Sequence, residues 1–141
     1  MIQIYTDGAA SGNPGPGGYG VILRSGEHYK ELSGGFRLTT NNRMELLGAI
    51  FSLEYLREIS NVILYTDSKY VQLGITEWID KWIKNNWKTS ANKDVVNKDL
   101  WERLLVQKQK HNIKFQWIKG HANNELNNEV DKIARNLLLR P

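Results

Sequence analysis

Apolar and polar residues alternate along the first segment, where Ile2, Ile4 and Thr6 interleave with Gln3, Tyr5 and Asp7. That period of two predicts a strand ending on an acid. The stretch Gly8–Gly18 is rich in glycine and proline and predicts a loop; strands are expected over Tyr19–Arg24 and Tyr29–Phe36, with Ser25-Gly26 turning between them. From Met44 to Ile59 the period changes, Leu46, Leu47, Ile50, Leu53 and Leu56 recurring at helical spacing with Asn41 or Asn42 as N-cap. The apolar run Val62–Tyr65 predicts a buried strand that again leads to an acid, Asp67, before Ser68 opens a short helix to Gly74. Thr76 is expected to cap a further helix carrying Trp78 and Trp82 one turn apart, and Trp87–Lys98, where the pattern is lost, to protrude as a loop. A helix over Asp99–Lys110, a strand over Ile113–Trp117 and a closing helix over Glu125–Leu139 complete the order β-β-β-α-β-α-α-α-β-α, which implies an α/β fold with one mixed sheet flanked by helices.

The 141 residues suit a single domain, 1–141, and no run reaches the ~20 apolar residues of a membrane span. With no leader-like start, a soluble, cytoplasmic monomer without a membrane partner is expected. No cysteine is present, which excludes disulfides, thiolate nucleophiles and cysteine-bound zinc. The net charge of +4 is localised: Lys81, Lys84, Lys88, Lys93 and Lys98 face one acid, Asp94, between positions 81 and 98, and the rest of the chain is neutral. Such a segment, carrying Trp78, Trp82 and Trp87 within 78–98, reads as a docking surface for a polyanion or, more plainly, as a solvated lysine face on buried tryptophans.

Three acids stand where local structure changes: Asp7, Glu45 and Asp67. Asp7 and Asp67 share the context Tyr-Thr-Asp, so two similar strands deliver an acid to what can be one edge, and ligands of open α/β sheets gather at strand carboxyl ends. Singly, each has an ordinary explanation as a turn residue, a helix cap or a complement to a helix dipole.

Taken together, Tyr5-Thr6-Asp7-Gly8, Gly12-Asn13-Pro14-Gly15-Pro16-Gly17-Gly18, Thr39-Thr40-Asn41-Asn42-Arg43-Met44-Glu45, Tyr65-Thr66-Asp67-Ser68 and Lys119-Gly120-His121-Ala122 resemble the signature blocks of bacterial type 1 ribonucleases H, in order and spacing, over essentially the whole chain. The resemblance implies the ribonuclease H-like fold, a five-stranded mixed sheet in the order 3-2-1-4-5. It also implies hydrolysis of the RNA strand of RNA/DNA hybrids by two divalent metal ions, Mg²⁺ or Mn²⁺, giving 3′-hydroxyl and 5′-phosphate ends with little sequence preference. Asp7, Glu45, Asp67 and Asp131 would be the metal ligands and His121 an aid to proton transfer or product release. Asn13, Asn41, Asn42 and Glu45 would meet ribose 2′-hydroxyls, Thr40 and Arg43 a phosphate, and Trp78 the DNA strand, with Lys81, Trp82, Lys84 and Lys88 on the basic protrusion. Three departures stand out. Leu38 occupies a position where many relatives are basic, which predicts a weaker phosphate pocket; Asn123 replaces a hinge glycine, and Asn128 stands where many members have Glu. His28 and His111 match no motif. The alternatives are another metal nuclease of the same fold superfamily and a catalytically silent hybrid-binding module.

Overall fold

The computed structural model describes residues 1–119. Strands β1 (Ile2–Ala10), β2 (Gly15–Ser25), β3 (His28–Thr39), β4 (Asn61–Thr66) and β5 (Asn112–Trp117) form one sheet in the order β3-β2-β1-β4-β5. The first three strands are antiparallel neighbours, whereas β4 and β5 run parallel to β1. The expected mixed sheet and its order are therefore present. The expected closing helix, with Asn128 and Asp131, and His121 and Asn123 before it fall outside the described residues.

Helix α1 (Asn41–Glu54) packs on β1 and β2 and supplies Met44, Leu46, Leu47, Ile50 and Leu53 to the core. Its N-cap is Thr40, whose hydroxyl accepts from the Arg43 N–H at 3.2 Å, rather than Asn41 or Asn42. The expected continuation to Ile59 does not occur. Beyond Glu54 the chain must return to the start of β4, and Ser60 is captured there: His111 Nδ1 accepts from its N–H at 3.1 Å, and the Asn112 N–H donates to its carbonyl at 3.0 Å. Two other expectations are corrected by tertiary contacts. Most of the glycine-proline stretch is strand, because β1 runs on to Ala10 and β2 begins at Gly15, leaving only Ser11–Pro14 as the connecting loop.

Thr76 caps nothing. Helix α2 (Lys69–Leu73), a π-helical turn (Gly74–Trp78) and α3 (Ile79–Lys84) follow one another with helical backbone at each junction, and the Thr76 hydroxyl donates to the Gln72 carbonyl at 2.6 Å. The wide turn sits where Gly74 abuts the Trp101 indole with no room for a Cβ, so a large ring is accommodated against the helix. Trp101, on α4 (Lys98–Lys110), is fully buried. Tyr70, Trp78, Trp82 and Trp87 connect to it through rings whose centroids lie 5.2–6.3 Å apart. The Tyr70 hydroxyl accepts from both the Asn97 amide at 3.1 Å and the Trp101 indole N–H at 3.2 Å. Removing that oxygen leaves a buried donor without its partner, a loss of about 1–3 kcal/mol. Tyr70→Phe is expected to lower Tm by several degrees in a thermal melt, and an unchanged Tm would show that the hydroxyl carries no part of the fold.

Candidate active site

The parallel pairing of β1 with β4 matches Tyr5 to Tyr65 and Thr6 to Thr66, so the two Tyr-Thr-Asp segments lie level with each other. The paired tyrosine rings stack at 4.6 Å and 14°. The ladder ends at the threonines, and the next residues are Asp7 and Asp67. Asp7 is not at the end of its own strand, as the sequence suggests; it is paired with Gly20 on β2 and lies beyond the end of β4 on the other side. The site thus opens where β1 continues and β4 stops, at the carboxyl end of the parallel part of the sheet.

Glu45 arrives from α1. The helix comes close because Gly8 has no side chain: a Cβ there would lie 2.5 Å from the Met44 carbonyl carbon and 2.7 Å from the Glu45 nitrogen. Carboxylate oxygens of Asp7, Glu45 and Asp67 consequently lie within 4.8 Å of one another. Two ionised carboxylates at that separation repel by about 3.5 kcal/mol at an effective dielectric constant of ~20. Burial, then the Asp7 and Asp67 charges and a hydrogen bond shared with Asp7, push the Glu45 carboxyl well above its usual range, while the Gly8 N–H acts in the opposite sense. The same N–H donates to Asp7 Oδ1 at 2.9 Å. Glu45 Oε2 is buried with no hydrogen-bond partner among the described residues. An orphaned buried carboxylate oxygen among three converging acids, an all-oxygen donor set, suits a hard divalent cation such as Mg²⁺ or Mn²⁺.

Two hollows carry other residues of the expected site. Asn13, Thr40, Asn41 and Asn42 line one of about 360 Å³ together with Val96 and Asn97. Its rim is braced by amides, since Asn41 Oδ1 accepts from the Ala10 N–H at 2.5 Å and Asn13 Oδ1 accepts from the Asn41 N–H at 3.0 Å. Arg43 is engaged elsewhere, in a two-pronged pair with Asp99 at 2.8 and 3.1 Å, and it donates to Asn97 Oδ1 at 3.0 Å. The second hollow, about 370 Å³, is lined by Trp78, Lys81, Trp82 and Lys88 with Asn85, Thr89 and Ser90. Lys84 is exposed nearby, and Lys88 forms an ion pair with Asp94. Val96 and Asn97 escaped sequence reasoning because they fall in a segment without periodicity, and Asn85, the C-cap of α3, because it matches no motif. Asn97, held left-handed at φ 63°, carried no signal at all beyond being an asparagine in a loop.

Fold and site together define an α/β enzyme with an acidic centre at the end of its parallel strands and a separate aromatic and basic surface. Comparison with known proteins gives its family. The family model for RNase H matches residues 1–138. A ribonuclease H of Cronobacter sakazakii is 54% identical over 141 residues, covering 100% of this chain and 89% of that protein. The crystal structure of LC9-RNase H1, a type 1 RNase H with the type 2 active-site motif, matches with a TM-score of 0.83 at 27% identity over 96% of this chain and 70% of that one. LC11-RNase H1 in complex with an RNA/DNA hybrid matches at 0.69 with 25% identity, over 96% and 95%. The chain belongs to the ribonuclease H family, in its type 1 branch, and is a ribonuclease H enzyme.

The raised Glu45 carboxyl has a pH consequence for the metal-free protein. Its folded value lies above the unfolded 4.5, so above about pH 4.5 the unfolded chain releases this proton first. The stabilising contribution is therefore complete below that pH and is lost as pH rises through the folded value. With EDTA present, Glu45→Gln is expected to flatten the fall of the urea midpoint between pH 4.5 and 8; identical profiles would show that this carboxyl is not strained.

Proposed function

We propose that this ribonuclease H hydrolyses the RNA strand of RNA/DNA hybrids with two divalent metal ions, largely without regard to base sequence, leaving 3′-hydroxyl and 5′-phosphate ends. The observation that carries the reading is the convergence of Asp7, Glu45 and Asp67 around a carboxylate oxygen that no group among the described residues satisfies. Asp131, from outside the described residues, is the fourth acid by resemblance. These carboxylates would hold Mg²⁺, or Mn²⁺ in its place, which when bound supplies Lewis acidity toward the scissile phosphate and toward water. The chain's own part is to keep the acids at fixed separations, Asp7 within β1, Asp67 just beyond β4 and Glu45 in the first turns of α1. In the reaction, water adds at phosphorus and gives up a proton, the bond from phosphorus to the 3′ oxygen breaks, and that oxygen takes up a proton in balance. His121 is suited to assist that transfer or the departure of product.

Substrate recognition divides between the two hollows. Asn13, Asn41, Asn42 and Glu45 offer side-chain amide and carboxyl groups to ribose 2′-hydroxyls in the wide minor groove of the hybrid, which is how RNA is told from DNA. Thr40 lies beside them, in the block suited to a phosphate. Arg43 contributes by holding Asn97 at the rim, given its pairing with Asp99. Trp78 and Trp82 offer stacking surface to the DNA strand, and Lys81, Lys84 and Lys88 neutralise its phosphates, on a protrusion at about 78–98 of a single catalytic domain spanning 1–141.

Hybrid, double-stranded RNA, double-stranded DNA and single-stranded RNA assayed side by side should show cutting of the hybrid alone, and only with Mg²⁺. Asp7→Asn, which removes a charge at constant size, should lower kcat by at least about a hundredfold while raising or preserving the Tm of the metal-free protein. Near-normal Mg²⁺-dependent turnover in that variant would sink the assignment.

The lysines are expected to differ. Lys81 and Lys84 are exposed, whereas Lys88 is already paired with Asp94. Lys81→Ala with Lys84→Ala should raise KM at little cost to kcat. The dependence of log affinity on log salt should become shallower by up to roughly 0.9 per lost phosphate contact. Lys88→Ala should change both less; equal effects would mean the Asp94 pair opens on binding.

A further inference from the structure

The acids of the centre are tied into the fold unequally. Asp7 lies within β1 and is paired with β2, but Asp67 follows the last residue of β4, where the ladders to β1 and β5 end at Thr6–Thr66 and Thr66–Trp117. Its peptide is held instead by a side chain from the neighbouring strand. The Trp117 indole N–H donates to the Asp67 main-chain carbonyl at 3.0 Å. The indole is itself fixed: the Lys69 ammonium stands 4.2 Å from its ring centroid, and the Ile118 N–H donates to the Thr66 carbonyl at 2.9 Å, continuing β5 alongside the turn. From the other direction, the Ser68 N–H donates to Thr66 Oγ1 at 3.1 Å, and the Ser68 hydroxyl caps α2 by accepting from the Val71 N–H at 3.1 Å. The peptide joining Asp67 to Ser68 is thereby held at both ends, and its orientation sets the direction in which the Asp67 Cα–Cβ bond leaves the backbone.

We propose that Trp117 is a positioning residue for the metal centre, its indole N–H locking the Asp67 peptide so that the carboxylate meets those of Asp7 and Glu45. In this role Trp117 acts through the Asp67 backbone carbonyl. A neutral hydrogen bond of this kind contributes about 0.5–1.5 kcal/mol net, so its loss corresponds to roughly a two- to tenfold weakening of whatever depends on the orientation it enforces. What depends on it is the affinity for the cation, since a carboxylate free to sample several directions must be ordered when the ion binds.

The inference rests on the reading of these acids as metal ligands, and the experiment separates the two. Mg²⁺ alone, without hybrid, is titrated calorimetrically into the full chain and into Trp117→Phe, which keeps an aromatic ring and removes the N–H. The expected result is a Kd for Mg²⁺ weakened about two- to tenfold. The Mg²⁺ dependence of cleavage should shift by the same factor, and KM for hybrid at saturating Mg²⁺ should not change. A purely structural tryptophan would lower Tm and leave the Kd alone, and equal Kd values in the two proteins overturn the proposal. No saturable heat in the parent protein overturns the metal reading and this inference with it. Should Trp117→Phe fail to fold, the indole N–H resonance of Trp117 in the parent protein carries the test. A shift that saturates at the calorimetric Mg²⁺ affinity supports the proposal, and a resonance indifferent to Mg²⁺ overturns it.

Discussion

Three carboxylates held closer than they would choose to stand are the constraint around which the rest of the molecule is arranged. Asp7, Glu45 and Asp67 repel one another, and the fold compels them together through backbone structure that side-chain charge is too weak to undo. The in-register β1–β4 pairing sets two of them level, and the backbone contact of α1 with Gly8 brings the third. Hydrophobic burial of Ile4, Leu64, Met44, Leu46 and Ile50 on either side of that contact supplies the opposing free energy, at about 1.5–3 kcal/mol for each large aliphatic side chain. A strained acidic centre of this kind is poised to take up cations, because charge neutralisation removes the term the core has to overcome.

The same logic explains why the basic surface is carried on tryptophans. A segment with five lysines cannot bury itself, so it is fastened by the rings of Trp78, Trp82 and Trp87 to the fully buried Trp101. Its far end is fastened by polar contacts instead. Asn97 donates to Tyr70 and accepts from Arg43, and Arg43 also grips Asp99, so the start of α1 and the start of α4 are joined a few residues from Glu45. The lysine-bearing segment and the helix that bears Glu45 are therefore joined through one set of polar contacts. Arg43, which the motif alone assigns to a phosphate, serves this connection in the protein without substrate.

Much of this was legible in the sequence. Periodicity located all five strands and the principal helices of the described region, because the alternation of Ile2 to Asp7 and the spacing of Leu46, Ile50 and Leu53 are local consequences of which face each element buries. The repeated Tyr-Thr-Asp pointed to two acids at one edge, and the motif blocks identified the family. Where local reading failed, a distant partner had decided the outcome. Helix α1 stops at Glu54 because His111 and Asn112 claim Ser60, and the helical run continues through Thr76 because Trp101 packs against Gly74.

The residue types of the acidic centre were thus legible in the chain alone, since carboxylates are ligands that oxygen-loving cations prefer. Their mutual geometry was not, and neither were the braces that hold it. Whether Asp7 and Asp67 stand level depends on strand register, the approach of Glu45 depends on a glycine of the strand beneath it, and the Asp67 peptide is held by an indole fifty residues away. Each is a contact between segments far apart in sequence. A linear pattern records which face a residue prefers, whereas only the folded chain decides which residue from another element it meets there.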